Sequence, residues 1–100
     1  MVSQTIVIDQ YVIDVLMRDL VSHDRTPSAF LVYLHLWGET ERSGKPGVKA
    51  SHQTVADCTG LSKSAVQKGI RRLVGRKLLR AHKDSATAIP VYRVLKPWRR

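Results

Sequence analysis

Cysteine is almost missing from this 100-residue chain. Cys58 stands alone, so no internal disulfide can form, and no cysteine and histidine set has the spacing of a zinc site. A reducing cytoplasm is the expected compartment. Long apolar runs are also absent: none approaches the roughly 18 residues of a membrane span. Residues 1–10 lack the basic flank and apolar stretch of an export signal. A soluble protein without membrane contacts is expected. His23, His35 and His82 lie scattered, with no carboxylate or nucleophile at catalytic spacing, which argues against an enzyme. No cofactor, metal or small-molecule substrate is called for. Cys58 and His52 could be read as a redox or metal pair, but without further ligands a buried small hydrophobe and a surface imidazole are the better expectation.

Acidic side chains are scarce too, eight against seventeen lysines and arginines, and their distribution matters more than the net +9. Residues 1–44 hold three basic side chains and six acidic ones, a net of −3. Residues 45–100 hold fourteen basic ones against Asp57 and Asp84, a net of +12. Any surface for a polyanion therefore belongs to the second half.

With 43% apolar residues the chain suits a single domain over residues 1–100. Val12, Leu16 and Leu20 recur at helical spacing from Asp9 to Val21, the first helix. Thr26 can cap a second, with Pro27 in its first turn, running to about Thr40. Its apolar residues, Ala29 to Leu34 with Leu36 and Trp37, cover it nearly all round, which makes it the spine of the core. Residues 43–47 form a turn and Val48–Ala50 a short extended piece. Ser51 caps a third helix ending near Cys58, Thr59-Gly60 turns the chain, and Ser62 caps a fourth helix reaching about Arg76. Residues 78–82 and 89–95 read as a hairpin, with Pro90 at the start of its strand or facing outward. The tail, residues 96–100, is expected to be flexible, although packing is the simpler role for Trp98.

The segment from Gln53 to Leu73 carries the functional information. Ala56 is small where two helices cross, Gly60 can take positive φ, and Leu61, Val66, Ile70 and Leu73 form a buried seam. At about 100° per residue, Ser64, Gln67, Lys68, Arg71 and Gly75 project opposite that seam. Such a face suits the major groove, where cations neutralise phosphates and Gln67 or Arg71 can pair bidentately with base edges. Gly69 costs about 1 kcal/mol in a helix relative to alanine. It is expected where the third helix passes close.

Residues 53–79 resemble the helix-turn-helix and following strand of winged-helix proteins. With the other helices and the hairpin, nearly the whole chain is similar to that architecture, as in MarR-like regulators and the N-terminal domains of phage and plasmid replication initiators. The resemblance implies a mainly α fold of four helices plus a β-hairpin wing. Residues 1–50 would be a helical scaffold, 51–76 the helix-turn-helix and 78–95 the wing. It further implies DNA contacts from Ser62, Lys63, Ser64, Gln67, Lys68, Arg71 and Arg72 on the fourth helix, and from Arg80, Lys83 and Arg93 on the wing. One departure is that glycine usually precedes the first wing strand, whereas Lys77 stands there and Gly75 comes two positions earlier. An early or irregular helix end is expected.

Sequence-specific binding of duplex DNA in transcriptional control, within the cytoplasmic nucleoid, is the function these features imply. A plasmid or phage replication or partition protein is the alternative, and an adaptor that meets an acidic protein is the other. Apolar surplus on the first helix and at Ile6, Val7 and Ile8 implies a homodimer, which would place two reading helices one DNA turn apart.

Overall fold

The computed structural model describes residues 4–99. Helix α1 covers residues 10–23 and is followed by α2 (Pro27–Ser43), β1 (Val48–Lys49), α3 (His52–Thr59), α4 (Lys63–Gly75), β2 (Leu79–His82) and β3 (Val91–Val94). This is a winged helix-turn-helix fold. Its core gathers Val12, Leu16 and Leu20 from α1 and Val32, Tyr33, Leu36 and Trp37 from α2. Val55, Val66, Leu73, Leu79 and Tyr92 close it from the other elements.

Two stretches of α1, Val12–Leu16 and Asp19–His23, wind with widened turns, the Asp24 amide donating to Asp19 O at 2.8 Å. A widened turn holds more residues, so a four-residue spacing advances almost one whole turn. Val12, Leu16 and Leu20 therefore run straight along the core, while Ile13, Met17 and Val21 stay in water at 46%, 38% and 39% exposure.

Helix α2 is central as expected and extends to Ser43, where Gly44 takes a left-handed conformation. Leu31, counted with its apolar surface, instead faces solvent. Thr26 is no side-chain cap either. Its hydroxyl donates back to Asp24 O at 2.9 Å, because Arg25 at φ 52° turns the chain just before it. The expected hairpin gains a third strand: the antiparallel order is β1-β3-β2, with Val48 opposite Tyr92 and Leu79 opposite Val94. Pro90 sits just before β3, and its carbonyl accepts from the Ala50 amide at 3.1 Å.

Residues 96–99 are docked rather than flexible, and Arg100 lies outside the described residues. The Trp98 ring stacks on Tyr11 at 4.6 Å and lies parallel to Trp37 at 6.3 Å. Its Nε1 donates to Asp9 Oδ2 at 2.9 Å, and Arg99 holds both oxygens of the same carboxylate at 2.6 and 2.7 Å. Hydrogen bonds from Arg99 and then Trp98 lower the Asp9 pKa from 3.8 to about 2. Since the folded value is depressed, this clasp contributes fully above pH 3.8 and is lost as pH falls towards about 2. Tryptophan fluorescence is expected to change through that window, and Asp9→Asn to abolish the step.

The end of α4 is regular, which corrects the expectation of an irregular one. The Leu78 amide donates to Leu73 O at 2.9 Å and the Lys77 amide to Val74 O at 3.1 Å, closing a Schellman motif. Lys77 supplies the left-handed residue at φ 58°, a conformation that glycine adopts without a Cβ penalty. Lys77→Gly is accordingly expected to stabilise the fold by about 0.5–1 kcal/mol, read as a higher urea midpoint at unchanged slope.

Candidate nucleic-acid interface

Two serines start the two helices of the motif in the same way. Ser51 Oγ accepts from the Thr54 amide and Ser62 Oγ from the Ala65 amide, both at 3.1 Å, satisfying donors that each helix start leaves open. Between them Gly60 takes φ 81°, its amide donating to Ala56 O at 2.9 Å. Thr59 Oγ1 returns to Val55 O at 2.7 Å. A side chain at Gly60 would be strained, so the turn depends on it.

Behind α4 lie Val66, Gly69, Ile70 and Leu73, all buried. Gly69 meets α2, not the third helix. A Cβ there would lie 3.1 Å from Ser28 C, Ser28 O and Ala29 N. That crossing fixes how far α4 stands from the core, and therefore which side chains it presents.

On the outward side Lys63, Ser64, Lys68, Arg71 and Arg72 are exposed. Ser62 is exposed but occupied as a cap, with Ser64 Oγ 3.2 Å away. Gln67, expected to be fully outward, is half-buried, because its Nε2 leans 3.3 Å from His52 Nδ1 on α3. His52 is half-buried as well rather than a free surface imidazole. Burial, then Lys63 and Lys83, pushes its pKa below the usual histidine range. Cys58, expected to be buried, is turned to solvent by α3 because Val55 and Ala56 take the inward positions.

On the wing Arg80 and Arg93 stand directly opposite each other across β2 and β3, both exposed. Lys83 Nζ donates to Ala86 O at 3.3 Å in the connecting loop. The sheet brings Arg80 and Arg93 to one cavity of about 270 Å³ with Gly47 and Val91. A second cavity, about 250 Å³, is lined by Thr26, Lys68, Arg71, Arg72 and Gly75. A third, about 520 Å³, opens between α3, α4 and the wing, with His52, Lys63 and Lys83 around an apolar floor of Ile70 and Tyr92.

The cations divide by partner. Arg76 lies 3.0 Å from Asp24 and 3.5 Å from Asp19, contacts that are electrostatic, since Asp24 Oδ2 has no aligned hydrogen bond. Arg42 pairs with Glu39 and Arg99 with Asp9. Among the described residues, Lys63, Lys68, Arg71, Arg72, Arg80 and Arg93 form no ion pair. Two participants had no local sequence signal. His52 is fifteen residues from Gln67, and Thr26 reaches the α4 flank only through the α2 crossing.

No protein-family model matches the sequence, and no curated protein matches it. The fold is similar to the crystal structure of the AntR antimony-specific transcriptional repressor, with a TM-score of 0.50 and 25% identity over 83% of this chain. The match spans 63% of that chain. Among the described residues no helix is long and apolar enough to cross a membrane.

Proposed function

We propose that this chain binds duplex DNA sequence-specifically as a transcriptional regulator of the cytoplasmic nucleoid, with α4 in the major groove. One observation carries the reading: Lys63, Lys68, Arg71 and Arg72 lie exposed without acidic partners on one helix, whereas Arg42, Arg76 and Arg99 are paired elsewhere. Unpaired cations along a helix that Gly69 lets pack close against α2 can exchange counterions for phosphates. Arg71 and Gln67 read base edges. Lys63, Ser64 and Lys68 contact the backbone, Ser62 sets the helix start, and the cavity beside Arg72 seats a flanking phosphate. Arg80, Lys83 and Arg93 carry the wing to phosphates or the adjacent minor groove. The fold likeness to a repressor supports this reading.

Exposed Ile13, Met17 and Val21 on α1 favour a homodimer. Selection of bound duplexes from a random library is the test. An inverted repeat with half-sites one turn, about 34 Å, apart is expected to emerge. Affinity for it should fall with salt at a logarithmic slope near −5 for about six phosphates. No enrichment with a flat salt response refutes the groove reading and leaves the adaptor role. A replication or partition protein would use the same face, and would bind origin or centromere fragments in preference to promoters.

A further inference from the structure

The contact between His52 and Gln67 joins the first residue of α3 to the middle of the reading face of α4, at 3.3 Å. The geometry points to His52 as a specificity-determining residue: through this contact it selects which purine the Gln67 amide reads. The inference rests on α4 lying in the major groove, as proposed above.

A neutral imidazole has one ring nitrogen that donates and one that accepts, whereas an imidazolium only donates. With His52 neutral at Nδ1, Gln67 Nε2 gives it one hydrogen. The other Nε2–H and Oε1 remain for the groove, one donor beside one acceptor. That pattern complements adenine, which offers an N7 acceptor and an N6 donor. When Nδ1 takes a proton it can no longer accept. The Gln67 amide then turns over so that Oε1 accepts from Nδ1–H, and both amide hydrogens face outward. Two donors complement guanine, whose O6 and N7 both accept.

The surroundings bias this choice towards the neutral imidazole in the free protein. Lys63 from α4 and Lys83 from the wing loop are the charged groups lining the cavity beside His52, with Ser51, Gln53, Thr87 and Tyr92 as its other polar groups. Among the described residues no carboxylate lines it, so no side chain of that lining offers the imidazolium a counter-charge. Burial and the two lysines hold the His52 pKa down in the free protein. DNA phosphates against Lys63 and Lys83 would cancel that repulsion and raise it again, so a guanine complex takes up one proton at His52 on forming.

The test uses the whole chain and two duplexes that differ only by A·T or G·C at the base pair Gln67 reads, located by comparing library selections for the wild type and Gln67→Ala. Dissociation constants are measured near pH 8 and near pH 5.5, either side of the histidine range. The expected result is an adenine preference of about tenfold at the higher pH, falling or inverting at the lower. For His52→Ala the ratio should be smaller and should not vary with pH, which also controls for pH effects arising elsewhere in the protein. The ratio is read rather than the affinity, so a general loss of binding does not blur the outcome. An unchanged ratio in His52→Ala at both pH values, or a wild-type ratio that ignores pH, overturns the inference. If Gln67→Ala alters base preference nowhere, the base-reading role of Gln67 fails first. If it alters preference while His52→Ala does not, only the role of His52 falls.

Discussion

Replacing Lys68, Arg71 and Arg72 together by alanine is expected to weaken duplex binding by roughly two to three orders of magnitude. Each of these side chains is exposed and none forms an ion pair, so their removal leaves no buried group unsatisfied. Stability should stay within about 0.5 kcal/mol per site, the usual range for surface changes. Two kinds of loss combine. Lys68 and Arg72 line the flanking cavity with Thr26, and without them phosphates go unneutralised whatever the sequence. Arg71 projects from the same helix one turn after Gln67, and its removal also relaxes base preference. Fluorescence anisotropy across a salt series separates the two, because the logarithmic slope should shrink by about 0.9 for each phosphate that is no longer neutralised. Arg76→Ala is the matched control. It removes a cation of the same helix end, but one already engaged by Asp19 and Asp24. A loss in that variant of about a third of the triple variant's, on a logarithmic scale, would show that bulk charge, not the position on α4, governs binding.

The second large effect is expected from Gly69→Leu, with a loss of about 3 kcal/mol in folding stability. The first added carbon already lies 3.1 Å from three backbone atoms of Ser28 and Ala29, and a backbone cannot rotate aside as a side chain does. Three further carbons must then push α4 away from α2. Gly69→Ala is a closer contest. Alanine gains about 1 kcal/mol of helix propensity and loses a comparable amount when the two helices part by a few tenths of an ångström, so a result near zero is expected. Urea unfolding of the two variants decides the matter: equal midpoints would mean that the crossing is not tight. Binding should fall with stability in the leucine variant, since the same contact sets the height of α4.

Much of the geometry of the candidate interface is legible from residue type and spacing, because its determinants are local. Ser51, Gly60 and Ser62 act on donors three residues away or on their own φ angle, and Val66, Ile70 and Leu73 declare the buried face through helical period alone. What escapes depends on distant partners. Gly69 signals a close approach but not to which helix, since Ser28 is some forty positions earlier. The two residues of β1 are too short for a periodicity and become a strand only because β3 lies beside them. Trp98 reads as packing, yet its clasp on Asp9 spans nearly the entire chain. Cys58 misleads because its residue type favours burial, while the helical phase of α3 gives the inward positions to Val55 and Ala56. At Lys77 the missing glycine is visible, but not that a lysine adopts the left-handed conformation itself.

The opposed arginines of the wing have a consequence of their own. Like charges facing each other across a ladder push its strands apart, so Arg80 and Arg93, one pair in from the base, leave the hairpin looser there than its hydrogen bonds alone would make it. An anion lodged between them would reverse that push into a bridge. A hairpin built this way would stiffen on touching a polyanion and slacken on letting go, so that its rigidity would follow occupancy.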